Sequence, residues 1–432
     1  KQIDNSPLLI FRIFFGILIS LECYGAIATG WVKKNLIDPQ FTFNFIGFDW
    51  LQPLPGIGMY LYFIAMGTLG IFIALGYRYR LSAAAFALLW TGVYLMQKTA
   101  YNNHYYLLIL IALIMTFMPS NRDYSLDATR NPSIRTNHMS AYLNWIIILQ
   151  LFIVYTYASV AKLYGDWLDF GIIEILFKNK KSYPIIGGLL QEPLVHMVVG
   201  ISGILFDLLI VPALLWKPTR KWAFVASLFF HLFNSIVFQI GIFPYLSLAF
   251  TVFFFEPETI RKLFFKKKEP YLGDSLVVPP QKELVLGILS LYFLIQLALP
   301  IRHHFIKDDV LWTEEGHRMS WRMMLRSRTG ITTFKIVNHT SGNSYLVNLD
   351  DYLSRGQKSK IKSYPDFMWQ FAQRLKREYA EKGEDISVFV NSRVSVNGKP
   401  YQEFIDPKID LGSVSWNYFG HNDWILPSPS KN

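Results

Sequence analysis

Lys162 ends an apolar run, Ile153-Val154-Tyr155-Thr156-Tyr157-Ala158-Ser159-Val160-Ala161-Lys162, with Tyr164, Asp166 and Trp167 just after it. A lysine in that place has two readings. Its stem can snorkel and carry the ammonium to lipid headgroups, or its amine can sit in apolar surroundings that disfavour the charge and leave a neutral base. Spacing alone supports both. Asn102-Asn103-His104 opens another apolar run. An asparagine there can cap a helix beside an interfacial histidine, or the three can bind and move protons. His231, Asn234 and Ser235 share a helical face by their i, i+3 and i+4 spacing, either as a polar seam between helices or as the lining of a site. His303-His304 has no carboxylate or third histidine at ligand spacing, so no metal is expected. Tyr155, Tyr157, Tyr164 and Trp167 fit an interfacial belt as well as a cofactor box.

Elements that could position these groups must cross a bilayer. Of the 432 residues 52% are hydrophobic and only 17% charged, which favours a membrane protein over soluble domains. Lys plus Arg outnumber Asp plus Glu by 42 to 31. In a membrane protein this excess belongs to loops, and nucleic acid is not implied. Cys23, the single cysteine, excludes a disulfide framework. Ala26-Ile27-Ala28 resembles a cleavage site, but Arg12 and Glu22 interrupt the run before it, so a retained first span is expected. Apolar segments at 8–28, 57–76, 82–97, 105–118, 141–161, 194–216, 222–240, 242–256 and 284–300 predict about nine transmembrane helices.

The basic residues test that layout. Arg78 and Arg80, then Arg122, Arg130 and Arg135, then Lys217, Arg220 and Lys221, then Arg261, Lys262 and Lys266 to Lys268 fall in loops on one side. By the positive-inside rule that side is the cytoplasm, which places Lys98 to His104, Lys162, His231, Asn234 and His303 toward the outer face. The chain thus reads as an all-α polytopic bundle over 1–300 and a small β-rich or α+β extracytoplasmic domain over 301–432. In that domain Thr333 to Val337 and Ser387 to Val390 alternate as strands, Asp366 to Glu381 is an amphipathic helix, and Asn397-Gly398 is a hairpin turn.

Lys98-Thr99-Ala100-Tyr101-Asn102-Asn103-His104 with Tyr106-Leu107 and Leu113 to Met118 resembles the vitamin K-dependent γ-glutamyl carboxylase family. The Lys162 segment is similar to that family's active-site lysine segment. Further matches follow in order at His231 to Ser235 with Gly241-Ile242-Phe243, at Leu299 to His303, at Ser320 to Met324, and at Phe404 to Pro407 with Trp416 and Trp424. No one motif is specific, whereas the ordered set covers nearly the whole chain.

The resemblance implies an enzyme with Lys162 as base toward vitamin K hydroquinone, menaquinol in a bacterium. O₂ and CO₂ are the further substrates, and γ-carboxylation of a glutamate-bearing peptide or protein is the coupled reaction. His104 and Asn103 carry over as catalytic, while Asn102, His231, Asn234, His303 and Trp167 are assigned to the quinol. Departures from the animal members are the lone cysteine, Ala161-Lys162 in place of paired lysines, and the lack of their further C-terminal region. They imply a bacterial inner-membrane member with its outer face periplasmic. The alternatives are epoxidation alone, or a quinone-binding membrane module without protein carboxylation. A transporter also uses intramembrane Lys and His, but no inverted repeat is evident.

Overall fold

The computed structural model describes residues 1–273, 276–278 and 281–429. Its long helices are α1 (Ser6–Ala28), α2 (Gly58–Leu75), α3 (Tyr79–Met96), α4 (Asn103–Phe117), α5 (Tyr142–Val160), α6 (Pro193–Leu215), α7 (Arg220–Phe238), α8 (Phe243–Phe250) and α9 (Lys282–Ile301). Every predicted apolar segment therefore holds a helix. Six of the helices, α1, α2, α5, α6, α7 and α9 with the turn after it, are long and apolar enough to cross a bilayer. α4 and the helical stretch Phe243–Phe253 are apolar but shorter. The 18 residues of α3 include Arg80, Ser82 and Thr91 and lack that apolar character.

Small residues let the first two helices meet. A Cβ on Gly16 would stand 2.6 Å from the Gly70 carbonyl oxygen, and Ser20 donates to the Gly67 carbonyl at 2.7 Å. Backbones this close hold a membrane bundle by packing and interhelical hydrogen bonds. Arg12, inside α1, is fully buried and donates to the carbonyls of Ser120 and Tyr124 at 2.7 and 2.6 Å. Carbonyls of a loop thus take the place of water around its guanidinium.

The small C-terminal domain holds an antiparallel sheet of four strands. β3 (Arg328–Asn338) and β5 (Ile386–Val396) pair along their whole length, from Arg328 opposite Val396 to Asn338 opposite Ile386, between the short edge strands β4 (Ser344–Leu346) and β6 (Gln402–Glu403). The only other sheet among the described residues pairs β1 (Gln2–Asp4) with β2 (His138–Ser140). Alternation in β3 turns Phe334 and Ile336 inward against Phe367 and Phe371 of α10 (Pro365–Ala380). Asn397 and Gly398 both have positive φ, 53° and 75°, as a tight turn between twisted strands requires.

A buried ion cluster joins domain to bundle. The ammonium of Lys98, just beyond α3, donates to Asp366 at the start of α10, and Arg318 lies 2.9 Å from the same carboxylate. Burial alone would raise the Asp366 carboxyl, but Arg318 and Lys98 outweigh it and hold the group at about 2. A carboxyl held below its unfolded value stabilises the fold above about pH 4, and that contribution is lost as pH falls toward 2. Asp366→Asn should therefore be less stable than the native protein at pH 7, with the gap closing by pH 2. Tryptophan fluorescence during unfolding in detergent reads both.

Candidate active site

The end of the bundle that meets the C-terminal domain holds two cavities with one wall in common. The first, about 480 Å³, is lined mainly by apolar side chains of α5, α6 and α7, together with Lys162, Asp207, His104, His231, Asn234 and Trp167. The second, about 750 Å³, is the more polar of the two, with Glu22, Lys98, Asn102, Asn103, His317, Arg318, Arg322 and Arg326 among its walls. His104, Ile240, Phe243, Met323 and Met324 line both.

Lys162 follows the last turn of α5 and is buried. Its Nζ donates to the Ala158 carbonyl at 3.0 Å and to the carboxylate of Asp207, in the middle of α6. The amine also lies 5.4 Å from the centre of the Trp167 ring. Trp167 donates from Nε1 to the Gly200 carbonyl at 3.1 Å. Glycines make this approach possible, since a Cβ on Gly200 would stand 2.6 Å from Phe170 Cδ1 and one on Gly203 would touch Trp167 and Lys162. The amine is thus held by a carboxylate as well as by apolar walls.

His231 is buried, with Nε2 3.2 Å from the Tyr155 hydroxyl and Nδ1 left without a partner. Buried nitrogens without partners are rare, and this one borders a cavity. His104 stacks on Phe243 with ring centres 3.8 Å apart, and the turn before Phe243 is held by Glu22, which accepts from Ile242 N–H at 3.4 Å and from the Tyr105 hydroxyl at 2.9 Å.

The structure thus brings Lys162, His104, His231, Asn234 and Trp167 to the apolar cavity. Asn102 stands elsewhere: its side chain caps α4, accepting from Tyr105 N–H at 2.8 Å, and faces the polar cavity. Asn103 ties that helix start to the C-terminal domain, donating to the Arg322 carbonyl at 3.2 Å and accepting from the Tyr101 hydroxyl at 2.9 Å. His303 lies outside both cavities, against a third of about 710 Å³, with Nδ1 2.9 Å from the Pro300 carbonyl oxygen. Among the described residues no three His, Cys, Asp or Glu side chains group as metal ligands.

Among known families, the HTTM domain matches residues 1–258, and the lumenal domain of vitamin K-dependent gamma-carboxylase matches residues 281–431. The chain belongs to the vitamin K-dependent gamma-carboxylase family. No solved structure matches it. The division between the two carboxylase-family matches falls before α9, so the last long apolar helix goes with the lumenal-domain match.

Sequence reasoning overlooked Asp207, though its signal was there: a lone carboxylate amid Ile204-Leu205-Phe206 and Leu208-Leu209-Ile210 is costly in an apolar span unless it is paired. It also passed over Arg322 as a site residue. That guanidinium borders the polar cavity, reaches His303 Nε2 at 3.4 Å, and keeps its buried Nε without a partner. Removing one member of a buried pair strands the other charge, at a cost of about 3–5 kcal/mol. Asp207→Leu should lower stability by about that amount, and Lys162→Met with Asp207→Leu should recover most of it. Denaturant unfolding in mixed micelles measures the cycle.

Proposed function

We propose that the chain oxygenates a vitamin K hydroquinone, menaquinol in a bacterium, to its epoxide with Lys162 as the base, and couples this to γ-carboxylation of glutamate. The observation that carries the reading is the convergence of Lys162, His104 and His231 on an apolar cavity of about 480 Å³, a size that takes a small-molecule ring. The walls suit such a ring, and the unpartnered His231 Nδ1 offers a hydrogen bond to one of its oxygens.

When bound, the hydroquinone supplies with O₂ the strong base that takes a γ-proton from glutamate, whose carbanion then adds CO₂. Lys162 starts this as a neutral amine, its own proton having first left the pair, by accepting a hydroxyl proton at Nζ, and Asp207 holds the ammonium that results. Trp167 and the cavity's aromatic side chains exclude water from the amine. His104, in the common wall, stands where a proton passes between the ring on one side and glutamate on the other. Asn103 fixes the first turn of α4 and so the place of His104. Glutamate enters from the polar cavity, and Arg322 offers its carboxylate a guanidinium partner.

Residues 1–300 then act as the membrane domain and 301–432 as an extracytoplasmic domain, periplasmic in a bacterial inner membrane, with the Arg- and Lys-rich loops in the cytoplasm. Epoxidation in purified protein, given menaquinol, O₂, a glutamate peptide and labelled bicarbonate, is the test. Lys162→Ala should reduce epoxide and labelled peptide together by 100-fold or more. Arg322→Gln should raise the KM for the peptide at least tenfold while epoxide formation continues. Full epoxide from Lys162→Ala would remove the lysine from the mechanism. Tight quinol binding without epoxide from the native protein would favour a binding module.

A further inference from the structure

A pocket of about 400 Å³ lies between the loop that joins α1 to α2 and α10 of the C-terminal domain. None of its lining residues borders any of the cavities described above. Its level in the membrane follows from α2. The 18 residues that begin at Gly58 span roughly 27 Å, close to the roughly 30 Å of a hydrocarbon core. Pro53, Leu54, Pro55 and Gly56, in the pocket wall, therefore stand where lipid headgroups begin. Trp50 is 75% exposed beside them, as in an interfacial belt. From this rim an exposed apolar stripe runs down α2 from Ile57 through Leu61 and Ile64 to Ile71.

The polar groups of this pocket divide by charge. Gln370, Arg374 and Arg377 fall at i, i+4 and i+7 on one face of α10, and all three line it. Arg374 lies over the Phe41 ring, 3.9 Å from its centre, and pairs with Glu378 at 2.6 Å, while Arg377 is exposed. Asp49, exposed on the loop, accepts from Gln370 Nε2 at 3.4 Å. Gln370 is only 8% exposed, and its Oε1 has no hydrogen-bond partner. Thr42, Gln52 and Asn44 bond one another across the loop and leave that oxygen unserved. One part of the pocket thus offers cations, and the other offers a carboxylate and an amide oxygen that lacks a donor. Gln370 and Arg374 stand one turn apart, about 6 Å along the helix, a separation that a short zwitterion spans.

We infer that this pocket binds a bilayer phospholipid by a phosphoethanolamine headgroup, with the phosphate on Arg374 and Arg377, the ammonium between Asp49 and Gln370 Oε1, and the acyl chains along the exposed stripe of α2. Guanidinium groups suit phosphate oxygens through charge-assisted hydrogen bonds. A primary ammonium carries three N–H donors, enough for both the carboxylate and the amide oxygen. A trimethylated ammonium has no N–H to give, and an anionic headgroup brings no cation to Asp49. The bound lipid braces the bundle against the C-terminal domain. Phe43 of the pocket wall packs on Phe367 of α10 with ring centres 4.8 Å apart, and its carbonyl accepts from Lys98 N–H at 2.8 Å. The site does not depend on the quinol reading.

Native mass spectrometry of the delipidated protein in detergent would measure binding of the first molecule of dioleoyl phosphatidylethanolamine, phosphatidylcholine or phosphatidylglycerol, and of soluble glycerophosphoethanolamine. Phosphatidylethanolamine should bind at least tenfold more tightly than either other lipid and at least 100-fold more tightly than the soluble headgroup. Arg377→Gln should weaken it at least fivefold, and Asp49→Asn should erase most of its advantage over phosphatidylglycerol. Both side chains are exposed, so both variants should unfold at the native temperature when no lipid is added, which separates loss of the ligand from loss of the fold. Arg80→Gln, exposed at the opposite end of the bundle, should leave all affinities unchanged. Equal affinity for the three lipids, or native affinities in both Arg377→Gln and Asp49→Asn, would overturn the site. A soluble headgroup that binds as tightly as the lipid would overturn the bilayer as its source.

Discussion

A lysine and an aspartate held together in apolar surroundings fix much of what stands around them. Neither charge is tolerable alone at that depth, so the end of α5 and the middle of α6 must meet wherever Lys162 and Asp207 meet. The meeting needs backbones to come close, which accounts for Gly200 and Gly203 on the same face of α6 as Asp207. Trp167 then packs over the pair and bonds α6, and the helix Gly171–Lys178 follows it as part of the roof. The apolar cavity is the space this arrangement leaves beside the ion pair.

Polar ties also make the C-terminal domain part of the site. Asn103 and Tyr101, at the start of α4, bond to Arg322 and Met319, and Met323 and Met324 from the same stretch close the wall between the cavities. Arg326 pairs with Glu314 on both carboxylate oxygens, which stiffens the chain that carries these residues. The Lys98, Asp366 and Arg318 cluster anchors the same junction from the other side. A domain attached only by a flexible linker could not hold a cavity wall in register.

Helix positions were legible in the sequence because burial in lipid leaves long apolar runs, and strands because β3 and β5 alternate with period two. What apolarity alone did not yield was a count, since α3 carries polar residues and α4 and Phe243–Phe253 are short. Within the site, Lys162 and His231 stood out because polar groups are expensive there. Asp207 carries the same signal but was overlooked, since it lies 45 positions from its partner and nothing local pairs them. Only the resemblance assigns Asn102 and His303 to the quinol; their local bonds, to Tyr105 N–H and the Pro300 carbonyl, are the kind that neighbours in sequence make. The two-cavity layout was not readable, because it arises where α4, the Gln239 to Phe243 turn and the 317–326 stretch cross in space.

The opposite end of the bundle sets a schedule for biogenesis. β1 begins at Gln2 and pairs with β2, and Asp4 receives the buried ammonium of Lys268 at 2.8 Å, as well as Ser6 N–H. The first helix thus enters the membrane long before the residues that complete its start have been made. At ribosomal speeds the 264 positions between Asp4 and Lys268 correspond to roughly ten seconds to a minute of synthesis. Throughout that interval the Asp4 carboxylate is served by water or by the translocation machinery. The Gln2–Asp4 strand locks into place only after nearly all of the bundle is in the bilayer, so residues made before the first helix are among the last to reach their native contacts.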